Sequence, residues 1–246
     1  MGDSRHPRRG AARTLRVIVY GRNPVREALR GPRAVHRVWA TDRAAEEPWL
    51  AGIDTAPAGA HEIESRCGSA EHQGICAAVE EYRYADPDGL LADDEALVIC
   101  LDEVQDPHNV GAVCRVAEAA GCAGVVLPER RSASVTAAAC KASAGAVEHL
   151  AVARVRNLAD WLTEAKQAGA WVYGAAAEAR TPWDRPDYNG RVVLVLGSEG
   201  RGLRPRVTAV CDEAIALPTR GRVASLNVST AAAGLVYTIL HLRNRA

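Results

Sequence analysis

The feature that most constrains this chain is an alternation running through its last 150 or so residues. Short β-branched or apolar runs at 97–101, 124–127, 150–155, 171–175, 192–196 and 214–217 read as strands. Between and after them, 110–120, 157–168 and 226–243 carry helical spacing. A parallel neighbour needs a crossover long enough to hold a helix, so strand and helix in turn predict an α/β fold with helices on both faces of a parallel sheet. The last helical pattern puts Val228, Ala232, Leu235, Ile239 and Leu242 on one stripe, with Ser225 or Asn227 as its cap.

The preceding part predicts a smaller α/β unit. Residues 17–20 read as a strand, and Asn23 is placed to cap a helix with Pro24 at its first position. A second strand is expected at 35–40, a helix or loop at 44–60, and a third strand at 74–79 after the turn His72-Gln73-Gly74. The acidic stretch 84–95, with its Pro and Gly, reads as the connection. The expected division is an arm at 1–14, a small domain at 15–82, a linker at 83–95 and a larger domain at 96–246.

No run of about 18 apolar residues suggests a membrane span, and no apolar segment follows the N-terminal arginines, so a cytoplasmic location is expected. The seven cysteines form no CxxC pair and mostly sit in apolar runs, which predicts reduced, buried thiols and no metal site. The net charge is zero, but its distribution is uneven: residues 1–43 carry a net +8 and residues 44–103 a net −13. A basic start could follow a phosphate backbone, with Arg22, Arg26 and Arg37 beside the arm.

Open parallel sheets bind ligands at the carboxyl ends of their strands, and three loops there have unusual composition. The first, 106–115, places Asn109 to cap a helix on which Val110, Val113, Cys114 and Ala117 share a buried face. Arg115 lies about 140° from Val110 and so points away from that face. The second, 196–203, holds three glycines within six residues but matches neither GxGxxG nor a P-loop, which disfavours a dinucleotide or nucleoside triphosphate. The third, 217–229, runs from a strand end through a basic turn to Ser225, Asn227 and Ser229 at a helix start. Lys141-Ala142-Ser143-Ala144-Gly145-Ala146 is rich in small residues, which suggests tight packing and one lysine available to RNA. Neither GxSxG nor a Ser-His-Asp order supports a hydrolase.

Together the three loops resemble the motifs of the SpoU (TrmH) family of SPOUT RNA methyltransferases. Asn109, Gly111 and Arg115 match its first motif, Gly197, Glu199 and Gly200 its second, and Pro218 with Ser225 to Ser229 its third. Tyr20 to Val25, His72-Gln73-Gly74 and the segment from Lys141 to Glu148 resemble members that act on ribosomal RNA and carry a small L30e-like substrate-binding domain. The resemblance implies a parallel-sheet SPOUT fold with a C-terminal trefoil knot through about residues 192–235. It implies S-adenosylmethionine as cofactor near Gly197, Leu217 and Leu226, and a homodimer with each site near the subunit interface. It further implies Arg115 at the ribose 2'-hydroxyl, with Asn109, Glu199, Ser225 and Asn227 around it.

The expected activity is therefore ribose 2'-O-methylation of RNA, with a guanosine of 23S rRNA as target. A tRNA ribose methyltransferase, an rRNA methyltransferase conferring antibiotic resistance, and a non-catalytic RNA-binding or ribosome-assembly protein are the alternatives. A guanidinium holds its proton tightly and is a poor base, so Arg115 is expected to stay charged, grip a phosphate and stabilise the developing alkoxide. The proton would then leave to a phosphate oxygen, to Glu199 or to water. Tyr20, Tyr82 and Tyr84 are candidates for base stacking or for the core.

Overall fold

The structure is a computed structural model that describes residues 16–198, 200–222 and 225–244; the arm at 1–14 lies outside the described residues. The N-terminal unit runs β1 (Arg16–Tyr20), α1 (Arg22–Arg30), β2 (Val35–Ala40), α2 (Asp42–Ala45), β3 (Thr55–Pro57), α3 (Ala60–Cys67) and β4 (Ile75–Glu80). Its sheet has the order β1-β4-β2-β3, with β4 antiparallel to both β1 and β2 and buried from Ile75 to Val79. Helix α3 had no counterpart in the sequence reading, because Ile63 is its only fully buried residue and one apolar position makes no stripe. Asn23 is not the expected cap. Helix α1 starts two residues earlier than expected, at Arg22, with Gly21 (φ 94°) as its N-cap, and Gln73 Oε1 accepts the Arg22 N–H at 3.0 Å. That bond satisfies a helix-end donor that has no partner within the helix.

The larger unit continues with β5 (Leu97–Asp102), α4 (Pro107–Ala119), β6 (Gly124–Pro128), α5 (Ala137–Ala142), β7 (Val152–Val155) and α6 (Leu158–Gln167). It ends with β8 (Trp171–Ala175), β9 (Thr181–Pro182), β10 (Val192–Gly197), α7 (Pro205–Thr208), β11 (Glu213–Ala216) and α8 (Val228–Arg243). Its strands lie in the order β7-β6-β5-β10-β8-β11-β9, and every pairing is parallel. Strand β5 is buried along its whole length, as a central parallel strand should be. Leu97, Ile99 and Leu101 face the layer of α4 and α8, whereas Val98 and Cys100 face that of α6. The first of these clusters continues without a break into Val19, Val25 and Ile75 of the small unit. No described helix is long and apolar enough to cross a membrane.

Two local expectations change. Helix α4 is capped by Asp106, which accepts the His108 N–H at 2.8 Å with Pro107 in the first turn, so Asn109 lies inside the helix rather than at its cap. The acidic connection is a packed strap. Ala85 N–H donates to Val152 O at 2.9 Å, and a short turn at Pro87–Leu91 buries Leu90 and Leu91 in the α6-side cluster.

Five cysteines are buried and two, Cys67 and Cys211, are partly exposed. Burial pushes the Cys114 and Cys122 thiols up to about 12. Since the thiolate is the nucleophile, alkylation of the native protein near neutral pH is expected to reach Cys67 first. Cys76, Cys100, Cys114, Cys122 and Cys140 should react only after unfolding, as peptide mass mapping would show.

Candidate active site

Strand β10 sits between β5 and β8, at the point where the strand order reverses, and the carboxyl ends there open a crevice. Beyond β8, β10 and β11 lies a cleft of about 450 Å³. Leu196, Gly197, Gly200, Gly202, Leu217 and Leu226 are among its walls, and Ser225 joins them. The second and third loops, separated in sequence by residues 204–216, thus wall one space.

Gly197 is required sterically. A Cβ built there would run into the backbone of Gly202, because the loop doubles back: Gly202 N–H donates to Ser198 O at 2.9 Å. Gly200 (φ 77°) and Gly202 (φ 66°) make that reversal without strain, and a side chain at either would enter open space. Gly197→Ala is expected to push the loop off the cleft and weaken cofactor binding by at least about tenfold, or about 1.4 kcal/mol, measurable by calorimetry.

One contributor was missed in the sequence. Asp102 closes β5 opposite Gly197 and is fully buried; its carboxylate accepts the Arg204 backbone N–H at 2.8 Å and Arg204 Nε at 2.7 Å. This pair anchors the far end of the glycine loop. The available signal was an acid ending an otherwise apolar strand, where a charge is costly unless paired.

Asn227 ties the third loop to the first. Its Nδ2 donates to Asn109 Oδ1 at 2.9 Å, while its Oδ1 accepts the Ser229 N–H at 2.9 Å and the Ser229 hydroxyl at 2.6 Å. Asn227 is therefore the cap of α8, one of the two residues expected there. Arg115 is exposed on α4, has no hydrogen bond or ion pair to another described residue, and is not part of the cleft wall. Glu199 lies outside the described residues.

The cationic surface differs from expectation. Arg22, Arg26 and Arg37 are paired with Glu47 (2.7 Å), Glu27 (2.7 Å) and Asp54 (3.5 Å). Arg201 at the cleft, with the exposed Arg220 and Arg222 beyond it, has no ion-pair partner among the described residues. The tyrosines serve the fold. Tyr20 is buried, Tyr82 OH donates to Leu150 O at 3.0 Å, and Tyr84 OH accepts the Val135 N–H at 3.0 Å. The Lys141 ammonium reaches across to the small unit, donating to Glu71 O at 2.9 Å.

Residues 96–237 match the SpoU rRNA Methylase family, and residues 18–85 match the family of RNA 2'-O ribose methyltransferase substrate-binding domains. A Bacillus subtilis protein assigned to the TrmH family of tRNA/rRNA methyltransferases is 38% identical over 92% of this chain and 96% of its own length. The fold is shared with the SpoU methyltransferase AviRb from Streptomyces viridochromogenes, solved with AdoMet (TM-score 0.78, 23% identity, 93% and 91% coverage). A structure described as giving insight into 2-OH methylation of C/U34 on tRNA aligns with a TM-score of 0.56 at 24% identity, over 61% of this chain and 98% of its own.

Proposed function

This chain belongs to the SpoU rRNA Methylase family, and from that premise we propose that it methylates the ribose 2'-oxygen of a guanosine in 23S rRNA. It is an S-adenosylmethionine-dependent RNA methyltransferase of that family. One observation carries the reading of the site: the glycine loop and the 217–229 loop wall a single cleft, and the Asn227–Asn109 bond joins the third motif to the first. Against a tRNA target stands the small N-terminal unit. The tRNA-methylation neighbour is spanned almost end to end by 61% of this chain and has nothing to match the remainder.

The cleft suits S-adenosylmethionine in size and character. Its volume of about 450 Å³ lies within the usual range for small-molecule sites, about 300–1,000 Å³. Leu196, Leu217 and Leu226 offer apolar walls for a purine ring, and Gly197, Gly200 and Gly202 expose backbone to polar groups. When bound there, the cofactor supplies an electrophilic sulfonium methyl, so the protein's task is positioning and the handling of one proton. Ser225 stands at the cleft wall, and Asn227 holds the 217–229 loop against α4. The charged Arg115 grips the phosphate beside the target ribose and stabilises the alkoxide, and Glu199, a phosphate oxygen or water takes the proton. Arg201, Arg220 and Arg222 contact the RNA backbone. A homodimer and a threaded C-terminal segment belong to this reading. The exposed Tyr237 on α8, an apolar residue on a helix packed against α4, is consistent with a subunit contact.

The test is transfer from labelled S-adenosylmethionine to unmodified 23S rRNA and tRNA in parallel, with nucleosides identified by mass spectrometry. A 2'-O-methylguanosine from 23S rRNA is the expected result. Label confined to tRNA would overturn the substrate, and absent cofactor binding would favour a non-catalytic RNA-binding protein.

A further inference from the structure

Residues 137–149 meet the small unit at three places, and at each one a long side chain of one unit lies where the other has a glycine. A Cβ at Gly31 would fall 2.9 Å from Glu148 Cβ. A Cβ at Gly145 would fall 2.6 Å from Glu27 Cβ, and one at Gly21 would fall 2.6 Å from Lys141 Nζ. The side chains engaged are polar and satisfied. Arg33 and Glu148 form a two-pronged pair, with Arg33 Nε donating to Glu148 Oε2 at 2.8 Å and Nη2 meeting Oε1. Only 5% of the Arg33 side chain and 1% of that of Glu148 are exposed. Arg33 Nη1 also donates to Glu80 O at 3.1 Å, and His149 Nε2 lies 3.0 Å from Glu27 Oε2. The same segment is seated on α4: a Cβ at Gly111 would meet the Ala139 carbonyl oxygen and fall 2.8 Å from Ala142 Cβ.

We propose that residues 137–149 lock the small domain to helix α4, and that Arg33 and Glu148 are positioning residues that set where RNA held by the small domain meets Arg115 and the cofactor. The physical basis is directional. Apolar contact tolerates sliding, and the shared apolar cluster alone would permit several registers. A forked guanidinium–carboxylate pair away from water is satisfied in one register only. Interlocking glycines then exclude the neighbouring ones, because any slide drives a side chain into backbone. The consequence for the reaction rests on the methyltransferase reading above. With α1 and α4 fixed to the same segment, the span from the RNA-binding surface to Arg115 is constant, and the 2'-oxygen is presented without a search through domain orientations.

The wedge variant Gly31→Leu tests this, since Gly31 has extended backbone (φ −81°, ψ −179°) and a Cβ there would fall 2.9 Å from Glu148 Cβ across the boundary and 3.2 Å from the Glu27 carbonyl oxygen of its own unit. Three quantities are read on the full-length protein: amide hydrogen exchange across residues 141–149, S-adenosylmethionine affinity, and kcat and KM on 23S rRNA. Exchange in 141–149 is expected to rise at least about tenfold, and kcat to fall by on the order of 10²-fold, with cofactor affinity unchanged. Gly31→Ala, which adds one carbon, should fall between the two. A Gly31→Leu protein with wild-type exchange, or with raised exchange and wild-type turnover, would overturn the proposal. Should the wild type transfer no methyl group to any RNA, the functional reading falls instead, and the exchange measurement alone decides whether the two units are locked.

Discussion

Arg115→Lys is expected to lower methyl transfer by on the order of 10²–10³-fold while leaving S-adenosylmethionine affinity unchanged. Arg115 is not in the wall of the cleft proposed for the cofactor, so a binding measurement should not register the substitution. Lysine keeps the positive charge and much of the length but lacks the planar fork that can hold a phosphate oxygen and a developing alkoxide together. The exposed position on α4, with no ion pair to another described residue, means that little of the effect should come from lost stability. Single-turnover rates with saturating cofactor and RNA are the measurement. Near-normal turnover in the lysine variant would remove the need for a guanidinium and point to Glu199 or the RNA itself as the main stabilising group.

The second large effect concerns stability. Breaking the buried pair by Glu148→Gln or Arg33→Met is expected to cost about 3–5 kcal/mol, because each leaves an uncompensated group away from water. Burial by itself would lower the Arg33 pKa, but the Glu148 carboxylate outweighs it and holds the guanidinium above its ordinary value. Against a total stability of about 5–15 kcal/mol, such a loss is large. The double replacement Arg33→Met with Glu148→Leu removes both charges and should recover most of it. Equilibrium denaturation of these proteins, with Glu148→Leu alone added to close the cycle, gives the coupling directly. Losses below about 1 kcal/mol in both single variants would mean that water reaches the pair and that it holds little.

Much of the larger sheet was legible in the chain because its central strands are buried on both faces. Val192 to Leu196 and Leu97 to Leu101 can only be apolar, and the run at 171–175 matched its strand from end to end. The small unit was harder to read where burial is sparse. Strand β3 is three residues long, and α3 presents only Ile63 to the core, so neither leaves a periodic trace. At the site, local chemistry was readable but not its assignment. Both Asp106 and Asn109 are good caps, and Pro107 decides for Asp106 because it belongs in the first turn.

By itself the sequence determined the α/β alternation and the three motif loops, since each depends on residue types within a few positions of one another. Only the tertiary structure decided what depends on distant partners. Asp102 serves as the anchor of the glycine loop because β10 pairs beside β5, which brings Arg204 within 2.7 Å of its carboxylate. Lys141, readable as an RNA contact, turns toward Glu71, 70 residues away. Arg22, Arg26 and Arg37, readable as phosphate contacts, have Glu47, Glu27 and Asp54 beside them. The physical reason is common to all three cases. A charged side chain takes whatever partner the fold supplies, and spacing along the chain carries no record of which residue that will be.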